Sequence, residues 1–78
     1  MDHRPNFDEF LGKRLKRLRA QKGWTQAELA EKVGVRPQQI HKYETAQNRL
    51  TAARLWRIAN VFEVSTDDLC RGFQEVGS

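Results

Sequence analysis

Apolar positions along this chain recur every three or four residues and nowhere alternate with period two, which predicts helices and no strands. Phe7, Leu11, Leu15 and Leu18 form the first stripe, widened by Phe10. Asn6 precedes it with Glu9 three positions on, the spacing of a capping box. Gly23 supplies the left-handed residue that ends a helix. The first helix is therefore expected over 7–22, with Lys13, Arg14, Lys16, Arg17 and Lys22 on a solvated face. Thr25 and Glu28 make a second capping box before Leu29, Ala30 and Val33, and Gly34 closes a short helix over 26–33. Pro37 fits the first turn of a third helix over 37–44, where its missing N–H costs nothing. Ile40 and Tyr43 face inward there, and Val35 with Ile40 has the spacing of a hydrophobic staple. Arg36 is a poor cap for that helix; its place has to be explained by contacts outside the helix. After a loop at 45–50, Thr51 caps a fourth helix whose buried side is Ala52, Leu55, Ile58, Ala59 and Phe62. Ser65 and Asp68 open a fifth, short helix carrying Leu69. The pattern predicts an all-α fold of five helices over residues 7–71, with flexible tails at 1–6 and 72–78.

Composition narrows the function classes. Seventy-eight residues make one domain. No apolar run is long enough for a transmembrane helix or a signal peptide, so the expected location is the cytoplasm. The single cysteine, Cys70, excludes an internal disulfide and a thiolate metal cluster, and reads as a buried small residue. His3 and His41 have no metal-ligand spacing with Cys70 or a carboxylate, so neither a metal nor a cofactor is expected. A Ser/His/Asp arrangement, paired catalytic carboxylates and a glycine-rich phosphate loop are all missing, so an enzyme is not expected.

Charge is more informative than composition. The formal net charge is +4, but it is unevenly placed. Arg4 against Asp2, Asp8 and Glu9 leaves −2 over residues 1–12. Twelve Lys and Arg against Glu28, Glu31 and Glu44 leave +9 over 13–57. Arg71 against Glu63, Asp67, Asp68 and Glu75 leaves −3 over 58–78. A solvated helical surface is the plain reading. A concentrated positive middle is also what a phosphate backbone selects, because each neutralised phosphate releases counterions.

Order of elements sharpens this. Two helices joined by a tight glycine-containing turn, the second with a polar outer face, form a helix-turn-helix. The first lies across the phosphate backbone and the second enters the major groove. Ile40 and Tyr43 behind, with Arg36, Gln38, His41 and Lys42 in front, satisfy that division. The stretch from Leu15 to Leu69 resembles the XRE family of Cro/CI-type, lambda-repressor-like regulators. The matching residues are Leu18-Arg19, Lys22-Gly23-Trp24-Thr25-Gln26, Glu28-Leu29-Ala30, Val33-Gly34-Val35, Ile40, Tyr43-Glu44, Leu55, Ile58-Ala59 and Val64-Ser65. Gln38 to Glu44, Asn48-Arg49 and Arg54-Leu55-Trp56 look like a branch common among alpha-proteobacterial members.

The resemblance implies binding of double-stranded DNA, and usually a homodimer on a near-palindromic operator. By position it puts Pro37, Gln38 and Lys42 where the family reads bases; Arg36 and His41 are adjacent and join them as base-reading candidates, with a phosphate or solvent role as the alternative for His41. Gln suits adenine and Lys suits guanine; Pro37 offers only an apolar contact. It assigns phosphates to Thr25, Gln26 and Gln39 and to the loop residues Gln47, Asn48 and Arg49. Gln26 also braces the recognition helix, and Arg19 with Glu44 matches an ion pair tying that helix to the first. Ala46 stands where glycine is common, which predicts another path for the loop after the recognition helix, and Glu63 replaces the common glycine that ends the fourth helix. Trp56 beside the fourth stripe is read as buried in or against the core, with an interface anchor as the alternative. The acidic C-terminal third, with Trp56 and the 60–70 region, is the expected dimer side. No ligand-sensing segment is evident. The leading expectation is a sequence-specific regulator, a repressor working by occupancy. The alternatives are an antitoxin or restriction–modification controller with the same domain, and a protein-interaction module that has lost DNA binding.

Overall fold

A computed structural model describes residues 6–73; the expectations for 1–5 and 74–78 lie outside the described residues. Five helices follow one another: α1 (Phe7–Lys22), α2 (Gln26–Val33), α3 (Pro37–Glu44), α4 (Ala52–Phe62) and α5 (Thr66–Cys70). No strand occurs among the described residues. Four helix starts are set by local side-chain chemistry. Asn6, Thr25, Thr51 and Ser65 each accept an N–H of the first turn, and Glu9, Glu28 and Asp68 return the bond at three of them. Gly23 and Gly34 end α1 and α2 in the left-handed conformation, at φ 72° and 87°. Glu63 ends α4 in the same conformation, at φ 59°, without a glycine's freedom.

Each helix turns one apolar stripe to a common centre. Leu11 and Leu15, Leu29, Ala30 and Val33, Ile40 and Tyr43, Ile58, Ala59 and Phe62, and Leu69 form the core. Leu29, Ile40 and Ile58 are almost wholly buried, each contributing about 1.5–3 kcal/mol of apolar burial. The recognition-helix candidate α3 packs on both α1 and α2, so its inner face is fixed from two sides. Gly12 permits the first of these contacts. A Cβ there would lie 2.6 Å from the Tyr43 carbonyl oxygen and 2.7 Å from that of Glu44.

Several expectations are corrected. Ala52 is exposed; the buried residues of α4 are Ile58, Ala59 and Phe62, in its second half. Trp56 is 61% exposed rather than buried; Leu55, Ile58, Ala59 and Phe62 already occupy the inward positions of α4. Arg14 does not belong to a solvated face. Its Nη2 donates to the carbonyls of Asp68 at 3.0 Å and Arg71 at 2.9 Å, closing the end of α5. Cys70 is half-buried, and desolvation raises its thiol pKa. Phe73, assigned to the tail, packs its ring edge-on to Phe7 at 5.2 Å and against Phe10 at 5.5 Å.

Candidate nucleic-acid interface

The outer face of α3 is built by subtraction. Ile40, Tyr43 and Glu44 turn inward, which leaves Pro37, Gln38, His41 and Lys42 exposed. Across the turn, Thr25 starts α2 by exchanging hydrogen bonds with Glu28: its hydroxyl accepts the Glu28 N–H at 3.0 Å and its own N–H donates to the carboxylate at 2.9 Å. These bonds hold the Glu28 carboxyl below the usual range. That start delivers Gln26, half-buried, to the edge of α3.

Beyond α3 the chain folds back on the helix end. The Thr45 hydroxyl donates to the His41 carbonyl at 2.9 Å, and the Gln47 N–H donates to the Lys42 carbonyl at 2.8 Å. The Gln47 side-chain amide donates to the Thr45 hydroxyl at 2.9 Å. Ala46 takes φ 60° to make this turn, so alanine occupies the left-handed position itself. Gln26, Pro37, Gln38, His41, Lys42 and Gln47 together line one open depression of about 390 Å3. Six of the residues singled out in sequence thus meet on one surface.

The others lie around it. Arg36 is exposed at the start of α3, and its side chain makes no capping bond. Gln39 is half-buried on the flank, and Thr25 and Asn48 are exposed. Arg49 is exposed as well, but its Nε donates to the Asp8 carboxylate at 3.1 Å, joining the loop to the start of α1.

A buried network fixes the two helices of the motif to each other. Arg19 Nε and Nη2 donate to the two oxygens of Glu44, at 2.6 and 3.1 Å, and Nη1 donates to the Trp24 carbonyl at 2.8 Å. The hydrogen bond to Glu44 raises the Arg19 pKa further. Gln26 Nε2 donates to the same Glu44 carboxylate at 3.0 Å. The Glu44 side chain is 2% exposed, so it is satisfied by partners from α1 and α2 rather than by water. Sequence reasoning passed over Thr45 and Gly12. It also gave Trp24 no role, although Trp24 stacks on Phe62 at 5.4 Å with Lys32 Nζ 4.7 Å above its ring. Periodicity carries no signal for any of the three.

The family profile described as Helix-turn-helix matches residues 15–69. The chain belongs to this helix-turn-helix family of XRE-type transcriptional regulators. A curated relative, an uncharacterized HTH-type transcriptional regulator of Rickettsia conorii, is 40% identical over 68 residues. That match covers 87% of this chain and 54% of the relative, so the chain spans about half of that protein's length. Among solved structures, the clp gene regulator ClgR from C. glutamicum is similar with a TM-score of 0.79 and 30% identity, over 85% of this chain and 86% of that one. SinR, described as a master regulator for biofilm formation and solved in complex with DNA, has a TM-score of 0.69 and 33% identity, over 76% and 95%. The fold is that of a lambda-repressor-like helix-turn-helix domain. No helix among the described residues is long and apolar enough to cross a membrane.

Proposed function

We propose that this chain reads an operator in double-stranded DNA and represses transcription by occupying it, as a homodimer on a near-palindromic site in the cytoplasm. The observation that supports this reading is the depression on the outer face of α3, where Pro37, Gln38, His41 and Lys42 meet Gln26 and Gln47. A helix with Ile40 and Tyr43 buried behind it and hydrogen-bonding side chains in front suits the major groove. Gln38 pairs with an adenine edge, Lys42 with a guanine, and Pro37 touches a thymine methyl. His41 lies between them. Thr25, Gln26 and Gln39 on one side, and Gln47, Asn48 and Arg49 on the other, hold phosphates and set the register.

Two copies would read half-sites one helical turn apart, roughly 34 Å. Trp56, exposed on α4, together with the 60–70 region supplies the dimer side, as aromatic anchors do at protein interfaces. Selection of bound duplexes from a random library should return a palindromic consensus. Gln38→Ala should then lose roughly 1–3 kcal/mol at one base position only; equal losses on selected and random DNA would overturn its base-reading role. Sedimentation that finds only monomer at high concentration, with and without DNA, would overturn the dimer.

A further inference from the structure

The first two turns of α1 are held from two sides. On one side lies the C-terminal end of the described residues. Arg14 Nη2 donates to the Asp68 and Arg71 carbonyls at 3.0 and 2.9 Å, and the guanidinium stands 5.8 Å from the centre of the Phe10 ring. Gly72, at φ 96°, turns the chain so that Phe73 reaches α1. The Phe73 ring meets Phe7 edge-on at 5.2 Å and Phe10 at 5.5 Å, within the range of favourable ring pairs. On the other side lies the loop that follows α3. Asp8, next to Phe7 in the first turn, accepts Arg49 Nε at 3.1 Å.

The first N–H groups of a helix have no partner within it, so a first turn frays readily. In α1 that turn is held by Asn6, whose side-chain and backbone oxygens accept the Glu9 and Phe10 N–H at 2.8 and 3.0 Å, and by the three rings. Phe7 is 37% exposed and Phe73 half-buried. The ring cluster therefore stands outside the core and can open without unfolding it. The loop carrying Arg49 is fastened to the end of α3 through the Gln47 N–H and the Lys42 carbonyl. Residue 73 is thus joined to that loop through a single helical turn. We propose that residues 71–73 form a strap over the start of α1 that restrains DNA binding: docked, it holds Asp8 against Arg49; released, it lets the turn fray and leaves the Arg49 guanidinium to a phosphate. This rests on the phosphate contact proposed for Arg49 above.

The test uses the whole chain as wild type, Phe73→Ala, Phe73→Leu, Asp8→Asn and the double variant Phe73→Ala with Asp8→Asn. Hydrogen exchange compares the Glu9 and Phe10 amides with those of the buried Leu15 and Ile58, and binding is titrated on random duplex DNA at several salt concentrations. In Phe73→Ala the Glu9 and Phe10 amides should exchange on the order of 10-fold faster while Leu15 and Ile58 keep their protection. Affinity for random DNA should rise about 2- to 5-fold, the range of an exposed ion pair, with a steeper salt slope. Asp8→Asn should give a similar gain, and the double variant no more, because both changes act on one pair. Phe73→Leu keeps an apolar cover and should fall between; it carries the comparison if Leu15 and Ile58 also lose protection in Phe73→Ala. Unchanged affinity in Phe73→Ala overturns the strap, as do gains that add in the double variant or a gain that persists when Arg49→Gln is introduced as well. A wild type with no affinity for any duplex removes the DNA function itself, whereas DNA binding that Phe73→Ala leaves untouched removes only the strap.

Discussion

Glu44 is the residue on which the motif's geometry converges. A carboxylate with 2% of its side chain exposed is costly to bury unless its oxygens are filled, and Arg19 and Gln26 fill them from two different helices. Removing one partner leaves the other charge buried alone. Arg19→Ala or Glu44→Ala should therefore cost about 3–5 kcal/mol in chemical denaturation. The double change Arg19→Met with Glu44→Leu should recover most of that loss, because two apolar side chains leave no charge behind. A double variant as unstable as the singles would show that packing, not charge, dominates the site. Glu63 is strained for a different reason. Its φ of 59° puts a Cβ in the left-handed region, at about 1–2 kcal/mol, and a glycine would return part of that as extra freedom of the unfolded chain. Glu63→Gly should stabilise the fold by about 0.5–1 kcal/mol, read as a higher thermal midpoint. No change would mean that the turn relaxes around glutamate.

Between elements, the decisive contact is the crossing of α1 over the end of α3. Gly12 is buried there, and the Tyr43 and Glu44 carbonyl oxygens stand where its Cβ would go. Alanine in the middle of α1 should add about 1 kcal/mol of helix propensity, but backbone oxygens cannot swing aside as a side chain does. Gly12→Ala should push α1 from α3 and destabilise by about 1–2 kcal/mol net; a variant at least as stable as wild type would refute the tight crossing. This contact also marks the limit of what could be read beforehand. The starts of α1, α2, α4 and α5 and the ends of α1 and α2 were legible, because Asn6, Thr25, Thr51, Ser65, Gly23 and Gly34 act within one turn of themselves. The outer face of α3 was legible too, as the complement of Ile40 and Tyr43. Gly12, the Arg14 bonds to the α5 carbonyls, the Phe73 ring and the exposure of Trp56 all depend on what another element places opposite them. Periodicity along one helix holds none of that information. Ala52 shows the same limit in reverse: its spacing is right, but it is exposed.

For the whole molecule, the charge of the middle segment is less available than its sum of +9 suggests. Arg14 closes α5, Arg19 is buried against Glu44, and Arg57 Nη1 donates to the Val33 carbonyl at 3.3 Å. These arginines serve the fold first. The charges left for a phosphate backbone include the exposed lysines and Arg17 of α1, Lys32 of α2, Lys42, Arg54, and the arginines beside α3. Among the latter, Arg49 is contested: it is 88% exposed yet paired with Asp8 from the acidic N-terminal segment. Such a pair adds no more than ~1 kcal/mol to stability, so Asp8→Asn should leave the fold nearly unchanged. For DNA the effect has a definite sign. The variant removes a negative charge beside the proposed phosphate contact and releases Arg49 from a competing carboxylate. Affinity for all sequences should rise together, and the logarithmic salt slope should steepen by up to about 0.9, one phosphate's worth of counterions. The preferred sequence should not move, because Asp8 and Arg49 lie outside the depression formed with α3. Titrations of wild type and Asp8→Asn at several salt concentrations, on the selected site and on random DNA, separate the outcomes. A steeper slope on both supports Arg49 as a backbone contact held back by Asp8. An unchanged slope places Arg49 away from the DNA, and a gain confined to the selected site makes it a reader of bases.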